Sequence, residues 1–291
     1  SGWDSSFSYS PWVVYHEGQF HMFYTGWGVN VAVGYAVSDD GVSFTRVGDE
    51  PVFAIRDDIE GRTHFAEAPV VYITEDGTWV MYYGLLQGKR FPASSIHRAT
   101  APSPEGPWTR DDEPIYVSAA DWDAQAVPQS VAVTGEGVFL FYDGRDGTSA
   151  ASGVLVSADG IEFIPYDDPF TPDLVDPVIG EAGVQAWDGA GAASPVVFAA
   201  DSGFEMFYIG FEGPDNGQRV LRIGYAVSDD GSSWQRYADN PVVVIDTQSS
   251  APNSLGFPWM GGLKVDDTYY LYYALSAGAE GVGVITGTVG E

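Results

Sequence analysis

A β-hairpin pattern recurs five times along this sequence and constrains the fold more than any other feature. Each copy has a proline-led apolar strand, a short polar turn and a second strand rich in aromatic residues. The copies begin at Pro11, Pro69, Pro128, Pro195 and Pro258, which are 58, 59, 67 and 63 residues apart. Self-similarity at a nearly constant spacing indicates a repeat architecture in which each unit packs on its neighbours. The sequence therefore predicts one supersecondary unit used five times.

A second hairpin follows the first. Residues 33–44 read VGYAVSDDGVSF, residues 223–234 read IGYAVSDDGSSW, and residues 153–163 give a related version. The Asp-Gly dipeptide suits the positive φ angles of a tight turn, and we expect the aromatic residue three positions later to pack back on its own unit. In the second unit the longer connection at residues 101–108 serves the same purpose.

Four strands per unit, repeated about every 60 residues, predict an all-β fold, namely a five-bladed β-propeller with four-stranded antiparallel blades. We expect residues 1–291 to form a single domain. The expected blades cover about residues 9–55, 66–117, 126–170, 192–245 and 257–291.

The composition excludes several classes of function. Forty-one acidic residues against 12 basic ones give a net charge of −29, which would repel the phosphate backbone of a nucleic acid. No run of 18 apolar residues is present, so no membrane span or membrane partner is expected. The chain has no cysteine, which removes disulfides, thiolate metal sites and thiol nucleophiles. We expect a monomer that is secreted or periplasmic, with its targeting segment outside this sequence.

The repeated motifs resemble those of the five-bladed propellers of glycoside hydrolase families 43 and 32 and their relatives. The motifs are the Pro-Val-Val-Tyr opening, the Met-Phe-Tyr-Thr-Gly second strand and the Tyr-Ala-Val-Ser-Asp-Asp-Gly hairpin. The resemblance covers the whole chain. It implies a carbohydrate partner and hydrolysis of a poly- or oligosaccharide by carboxylate general acid/base chemistry at the central funnel. Because these motifs belong to the scaffold, a non-catalytic carbohydrate-binding propeller remains the alternative.

Four carboxylates are the candidates for catalysis. Glu67 lies in Glu-Ala-Pro, which resembles the context of the family's general acid, although in family 43 that motif falls later in the chain. The resemblance places the base or nucleophile just before a first strand, where Asp4 and Asp188 each follow a tryptophan. Asp143, at the end of a second strand, is the candidate that tunes Glu67.

Two observations weigh against this assignment. Trp-Asp occurs in three units, at Asp4, Asp123 and Asp188, and a repeated pair is also explained by a structural carboxylate that accepts backbone N–H bonds. The family's Asp-Pro of the first blade is replaced here at Ser10, and the third blade has Gln129 where an aspartate is expected.

The candidate substrate-binding residues are those that depart from the repeat or end a strand near the expected mouth. Polar candidates bind sugar hydroxyls, Arg145 also pairs with Asp143, and tryptophans stack on sugar rings. The set is His64, Arg62, Gln129, Arg145, Trp27 and Trp259. No metal-binding motif is present, so no cofactor is assigned beyond a calcium or similar ion that the resemblance allows in the axial channel.

Overall fold

The computed structural model describes residues 2–28, 30–55, 58–59, 62–87, 95–145, 150–182, 186–211, 220–246, 259–274 and 282–288. All regular structure in these ranges is β. The strands are β1 (Phe7–His16), β2 (Gln19–Trp27), β3 (Val31–Ser38), β4 (Thr45–Arg46), β5 (Asp58–Ile59), β6 (Arg62–Ile73), β7 (Trp79–Gln87), β8 (Ser95–Ala101), β9 (Thr109–Arg110), β10 (Tyr116–Val117), β11 (Gln125–Thr134), β12 (Gly137–Arg145), β13 (Ala150–Ser157), β14 (Ile164–Pro165), β15 (Gly191–Ala199), β16 (Phe204–Phe211), β17 (Val220–Ser228), β18 (Gln235–Arg236), β19 (Val243–Asp246), β20 (Trp259–Val265), β21 (Thr268–Ala274) and β22 (Gly283–Gly287). The described residues contain no helix that could act as a membrane span.

The sheets confirm the all-β, antiparallel prediction but differ from a plain set of four-stranded units. β1–β4 form a four-stranded sheet, β5–β10 a six-stranded sheet and β20–β22 a three-stranded sheet. The third and fourth repeats join into one nine-stranded sheet through a single parallel bridge between Ala150 and Gly191. This close approach favours glycine, because a Cβ on Gly191 would lie 2.7 Å from the Ala150 carbonyl oxygen.

The first strands of the five repeats lie side by side. β1 contacts β6, β6 contacts β11, β11 contacts β15, β15 contacts β20, and β20 contacts β1. Side chains bond across these contacts: the Trp12 indole N–H donates to the Val71 carbonyl at 2.7 Å, and the Val197 N–H donates to the Ser130 hydroxyl at 2.9 Å. Residues distant in sequence are therefore brought together along these strands.

The aromatic residue after each second-hairpin turn packs against the repeat that precedes it. Our expectation of packing on its own unit missed this contact. The ring centroids are 5.4–6.0 Å apart in the pairs Phe44–Tyr272, Trp108–Phe23, Phe163–Tyr82 and Trp234–Phe141. The partner always lies on a second strand, and the first repeat packs on the fifth. These rings therefore join successive repeats, including the two ends of the chain.

The second-hairpin turns have the conformation that the Asp-Gly motif predicts. Gly41 has φ 71°, and the backbone N–H groups of Val42 and Ser43 donate to the Asp40 carboxylate at 2.8 and 2.7 Å. Donation from Ser43 and Val42 lowers the pKa of Asp40 to about 2. The aspartate of this motif is therefore a turn-forming residue.

Candidate active site

A β-bulge interrupts each of the four first strands from β1 to β15. The pairing register shifts between Tyr9 and Trp12, Glu67 and Val70, Pro128 and Ser130, and Ala193 and Val196. In three of the bulges the residue before the proline has positive φ: Ser10 (48°), Ala68 (51°) and Ser194 (51°). Bulges bend a strand and redirect its side chains, and they are frequent beside active sites. We call the part of each first strand from its N-terminal residue to the bulge the bulge end of the strands.

Glu67 is the departure from the repeat at this end of the strands. Next to the four bulges, the first-strand residues that pair with the same position of the second strand are Tyr9, Glu67, Val127 and Ala193, opposite Thr25, Gly84, Asp143 and Ile209. In β11 the register shift comes one residue later, after Pro128. Scaffold requirements are common to these positions, yet Glu67 alone among the four carries a carboxyl group. A buried carboxyl that the scaffold does not require is a functional candidate.

Glu67 is only 2% exposed and lies beside a buried phenol. The Tyr9 hydroxyl donates to Glu67 Oε2 at 2.9 Å, which links the first repeat to the second. Burial first, and then the negative charge of Glu67, raise the pKa of Tyr9 well above its ordinary value. Tyr9 therefore keeps its proton at neutral pH and acts as a hydrogen-bond donor to the carboxyl.

The two predicted tryptophans meet at Tyr9. The Trp259 ring lies 4.6 Å from the Tyr9 ring and is 7% exposed, so it is a buried packing residue. Trp27 is half-buried, lies 6.5 Å from Tyr9 and stacks on Phe7 at 5.5 Å. Stacking of either tryptophan on a sugar stays a prediction. Their ring contacts with Tyr9 place aromatic side chains next to the Tyr9–Glu67 pair.

Asp143 is completely buried and braces the next repeat. Its Oδ1 accepts the Ser194 N–H at 2.9 Å and the Ser152 hydroxyl at 3.1 Å, while Arg145 approaches Oδ2 at 3.3 Å. The predicted pairing of Arg145 with Asp143 is thus present. Thr25 of the first repeat likewise binds the first strand of the next repeat, because its hydroxyl accepts the Ala68 N–H at 2.8 Å. Burial raises the pKa of Asp143 against the opposing effect of Arg145.

The three Trp-Asp pairs form one repeated structure, which we call the Trp-Asp latch. In each latch the tryptophan stacks on a second-strand tyrosine, with ring centroids 5.8–6.1 Å apart, and that tyrosine donates to the aspartate. The three sets are Trp3, Asp4 and Tyr24; Trp122, Asp123 and Tyr142; and Trp187, Asp188 and Tyr208.

Further donors occupy the latch carboxylates. Arg46 binds Asp4 at 2.8 and 2.9 Å, Arg236 binds Asp188 at 3.0 Å, and the N–H groups of Ala119 and Ala120 bind Asp123. These contacts favour the structural alternative for Asp4 and Asp188, because a tyrosine and an arginine hold each carboxyl group in place.

We predict that Asp188→Asn lowers the free energy of unfolding by about 2 kcal/mol, because it weakens two charge-assisted hydrogen bonds in a buried site. Chemical denaturation measures this. Asp229→Asn makes the same change in an exposed turn and should stay within about 0.5 kcal/mol of the parent. An Asp188→Asn protein of parental stability that loses hydrolytic activity would instead support a catalytic Asp188.

The remaining predicted binding residues have different surroundings. His64 is 4% exposed, and Gln129 is 5% exposed. The Gln129 Nε2 and Ser10 Oγ atoms are buried and have no hydrogen-bond partner among the described residues. Buried polar atoms without partners are rare in folded proteins and mark places where a ligand or water completes the bonding. Arg62 begins β6, and its side chain lies outside the described residues.

Two residues near the site were missed by the sequence analysis. The sequence analysis treated Tyr9 only as part of the first strand. Tyr9 occupies the position in the first repeat that Glu67 occupies in the second, and its hydroxyl was the signal that could have identified it. His97 on β8 stacks on Tyr83, with ring centroids 5.6 Å apart. Burial, then the charges of Arg110 and His64, lower the pKa of His97 to about 4.

His97 should make stability depend on pH. Its folded pKa of about 4 lies below the ordinary value of 6.5, so its contribution is complete above pH 6.5 and is lost as the pH falls toward 4. We predict that the stability advantage of the parent over His97→Phe, which keeps a ring on Tyr83, shrinks by about 2 kcal/mol on acidification across that range. Denaturation curves at a series of pH values measure it, and parallel pH dependences would contradict it.

No group of three or more His, Asp or Glu side chains that could hold a metal ion occurs among the described residues.

Comparison with known sequences gives distant relatives. No family model matches the chain. Two uncharacterised proteins of Mycobacterium tuberculosis, Rv1502 and MT1551, are each 24% identical over 184 residues, which is 63% of this chain and 54% of theirs. The chain thus spans about half the length of the curated relatives it matches.

Solved structures match almost the whole chain. A candidate glycosidase from Bacteroides thetaiotaomicron has a TM-score of 0.74 at 22% identity, covering 98% of this chain and 87% of that one. This chain therefore shares the all-β, propeller-like fold of that structure. A structure from family 130, described as mannoside phosphorylases that include glycoside hydrolases for β-1,2 mannosidic linkages in Candida mannan, has a TM-score of 0.71 at 20% identity, with 98% and 85% covered. An exo-1,5-α-L-arabinanase from a bovine ruminal metagenomic library has a TM-score of 0.62 at 16% identity, with 96% and 91% covered.

Proposed function

We propose that this chain is a glycoside hydrolase built as a five-bladed propeller, with Glu67 as the general acid. The five first strands that contact one another in sequence, with β20 against β1, support five blades around one axis. The solved structures that share this fold are described as glycosidases, glycoside hydrolases or an arabinanase. The proposed substrate is a poly- or oligosaccharide.

The observation that carries this proposal is the position of Glu67. It is the carboxyl among the four register-equivalent bulge residues, it is buried, and it lies beside aromatic rings. Hydrolysis of a glycosidic bond needs one carboxyl that gives a proton to the leaving oxygen and a second that activates water or attacks the sugar. Glu67 has the protected setting that suits the first of these roles.

The other carboxylates divide into two groups. Asp143, which is bound by Arg145 and Ser194, is proposed as the carboxylate that tunes the pKa of Glu67. Asp143 lies on β12 of the third repeat and Glu67 on β6 of the second. One of Asp4 and Asp188 is proposed as the base or nucleophile, and the other keeps the latch role that its arginine and tyrosine partners support. Gln129, with its buried unpaired amide nitrogen, is proposed to bind a sugar hydroxyl.

A carbohydrate-binding propeller without catalysis is the second candidate. The observation that favours it is the first blade, where Ser10 replaces the family's aspartate and leaves a buried hydroxyl without a partner among the described residues. Such a site would hold a sugar through Ser10 and Gln129 while lacking a second free carboxylate.

Hydrolysis of a panel of aryl-glycosides by the parent and by Glu67→Gln tests the enzyme proposal, and calorimetric titration with arabinose, xylose, mannose and fructose oligomers tests binding. Turnover that depends on Glu67 supports the glycosidase. Sugar binding without turnover supports the second candidate.

A further inference from the structure

We infer that Tyr9 is a positioning residue that sets the protonation of Glu67 from the neighbouring repeat. The inference rests on the proposed function of Glu67 and assigns a role to a residue that the proposed chemistry does not yet use. Its basis is the 2.9 Å hydrogen bond from the Tyr9 hydroxyl to Glu67 Oε2, between two side chains that are 0% and 2% exposed.

The contact is built by the fold rather than made by chance at the surface. Tyr9 and Glu67 both precede a bulge and occupy equivalent register positions of adjacent first strands. The Tyr9 ring is fixed by Phe7 at 5.4 Å and by Trp259 at 4.6 Å. Because the ring is held on two sides, the hydroxyl has little freedom to turn away from Glu67.

The direction of the effect follows from the donor. Tyr9 keeps its proton, since burial and the charge of Glu67 raise its pKa, so it donates to whichever form of the carboxyl is present. Donation to an ionised carboxylate is stronger than donation to a neutral acid. Tyr9 therefore favours the ionised form and opposes the effect of burial, keeping Glu67 able to release its proton to a leaving group.

The strands packed against β6 carry other titratable side chains besides Tyr9. They are Tyr15 and His16 of β1, His21 and Tyr24 of β2, Tyr35 of β3, Asp58 of β5, and Tyr82 and Tyr83 of β7. β11 carries none, and Arg62, His64 and Tyr72 share β6 with Glu67. The Tyr24 hydroxyl donates to Asp4, and the Tyr82 hydroxyl donates to the Gly160 carbonyl. The Tyr9 hydroxyl, by contrast, donates directly to Glu67 Oε2.

The test is a titration of Glu67 by NMR on protein labelled with ¹³C in the glutamate carboxyls, with Glu67→Gln used to assign the signal. In Tyr9→Phe the Glu67 signal should titrate about one unit higher in pH than in the parent. Replacing Tyr9 with difluorotyrosine, a similar ring with a stronger donor, should move it in the opposite direction. Difluorotyrosine keeps both the ring and the hydroxyl, so it tests the inference even if Tyr9→Phe does not fold.

The control is Tyr225→Phe, which removes a phenol that donates to Glu205 at the same distance of 2.9 Å, at the other end of a second strand. It should leave the titration of Glu67 unchanged. An unchanged titration in both Tyr9 variants would overturn the inference.

Activity supplies an independent readout. The alkaline limb of the pH–rate profile, where the general acid loses its proton, should move upward with the NMR titration in Tyr9→Phe. If the titration moves while Glu67→Gln hydrolyses at the parental rate, the proposed function of Glu67 fails and the Tyr9 effect stands. If the titration does not move while Glu67→Gln is inactive, the Tyr9 inference fails alone.

Discussion

Glu67→Gln is expected to slow hydrolysis of an unactivated glycoside by about 10²- to 10⁴-fold, the range that general acid catalysis contributes. Glutamine keeps the size of the side chain and can still accept the Tyr9 hydrogen bond, but it has no proton to give. Initial rates with methyl and nitrophenyl glycosides of the best sugar measure the loss. Nitrophenolate leaves without much help from an acid, so the loss should be much smaller for the nitrophenyl substrate.

Glu205→Gln is the matched control for this experiment. Like Glu67, Glu205 accepts phenol hydroxyls, from Tyr269 at 2.6 Å and Tyr225 at 2.9 Å. It is half-buried and pairs with Lys264 at 3.1 Å. It lies at the start of β16, away from the bulge end of the strands. Parental rates for Glu67→Gln, or an equal loss in both variants, would contradict the assignment of the acid.

Gly261→Ala is expected to lower the free energy of unfolding by about 3 kcal/mol, the upper part of the range for overpacked sites. Gly261 lies on β20, and a Cβ there would be 1.8 Å from the carbonyl oxygen of Pro11 on β1. The obstacle is backbone, which cannot swing aside as a side chain can, so the first and last repeats would have to separate. Urea denaturation of the two proteins measures the difference.

Gly135→Ala provides the comparison, since a Cβ at Gly135 would meet no atom within 4 Å. It should remain within about 0.5 kcal/mol of the parent. Parental stability of Gly261→Ala would mean that β20 and β1 do not meet as described, and the case for a closed set of repeats would fall with it.

The sequence predicted the local structure well, for reasons visible in single motifs. A run of mainly apolar residues after the proline predicts a strand, and Asp40 followed by Gly41 predicts its turn, because both depend on neighbours within a few residues. The Glu-Ala-Pro motif also led to Glu67, since a carboxyl at a position that other repeats fill differently is visible in the repeat itself.

The relations between repeats could not be predicted in the same way. Nothing in the pattern indicated that Phe44 packs on Tyr272, that a single bridge joins the third and fourth sheets, or that Asp188 meets Arg236. Each of these contacts joins residues from different strands or repeats. Whether such residues touch depends on the rotation from one repeat to the next.

The sequence by itself determined the strands, their turns, the number of hairpin repeats and the carboxyl that departs from the repeat, because hydrogen-bonding needs and the alternation of side chains act over short stretches of chain. Only the tertiary structure decided that Tyr9 donates to Glu67 and that the Trp-Asp aspartates are bound by tyrosine and arginine or backbone donors. Those contacts depend on how the first strands pack side by side, and this packing is set by backbone approaches such as that of Gly261 to Pro11, which local sequence does not specify.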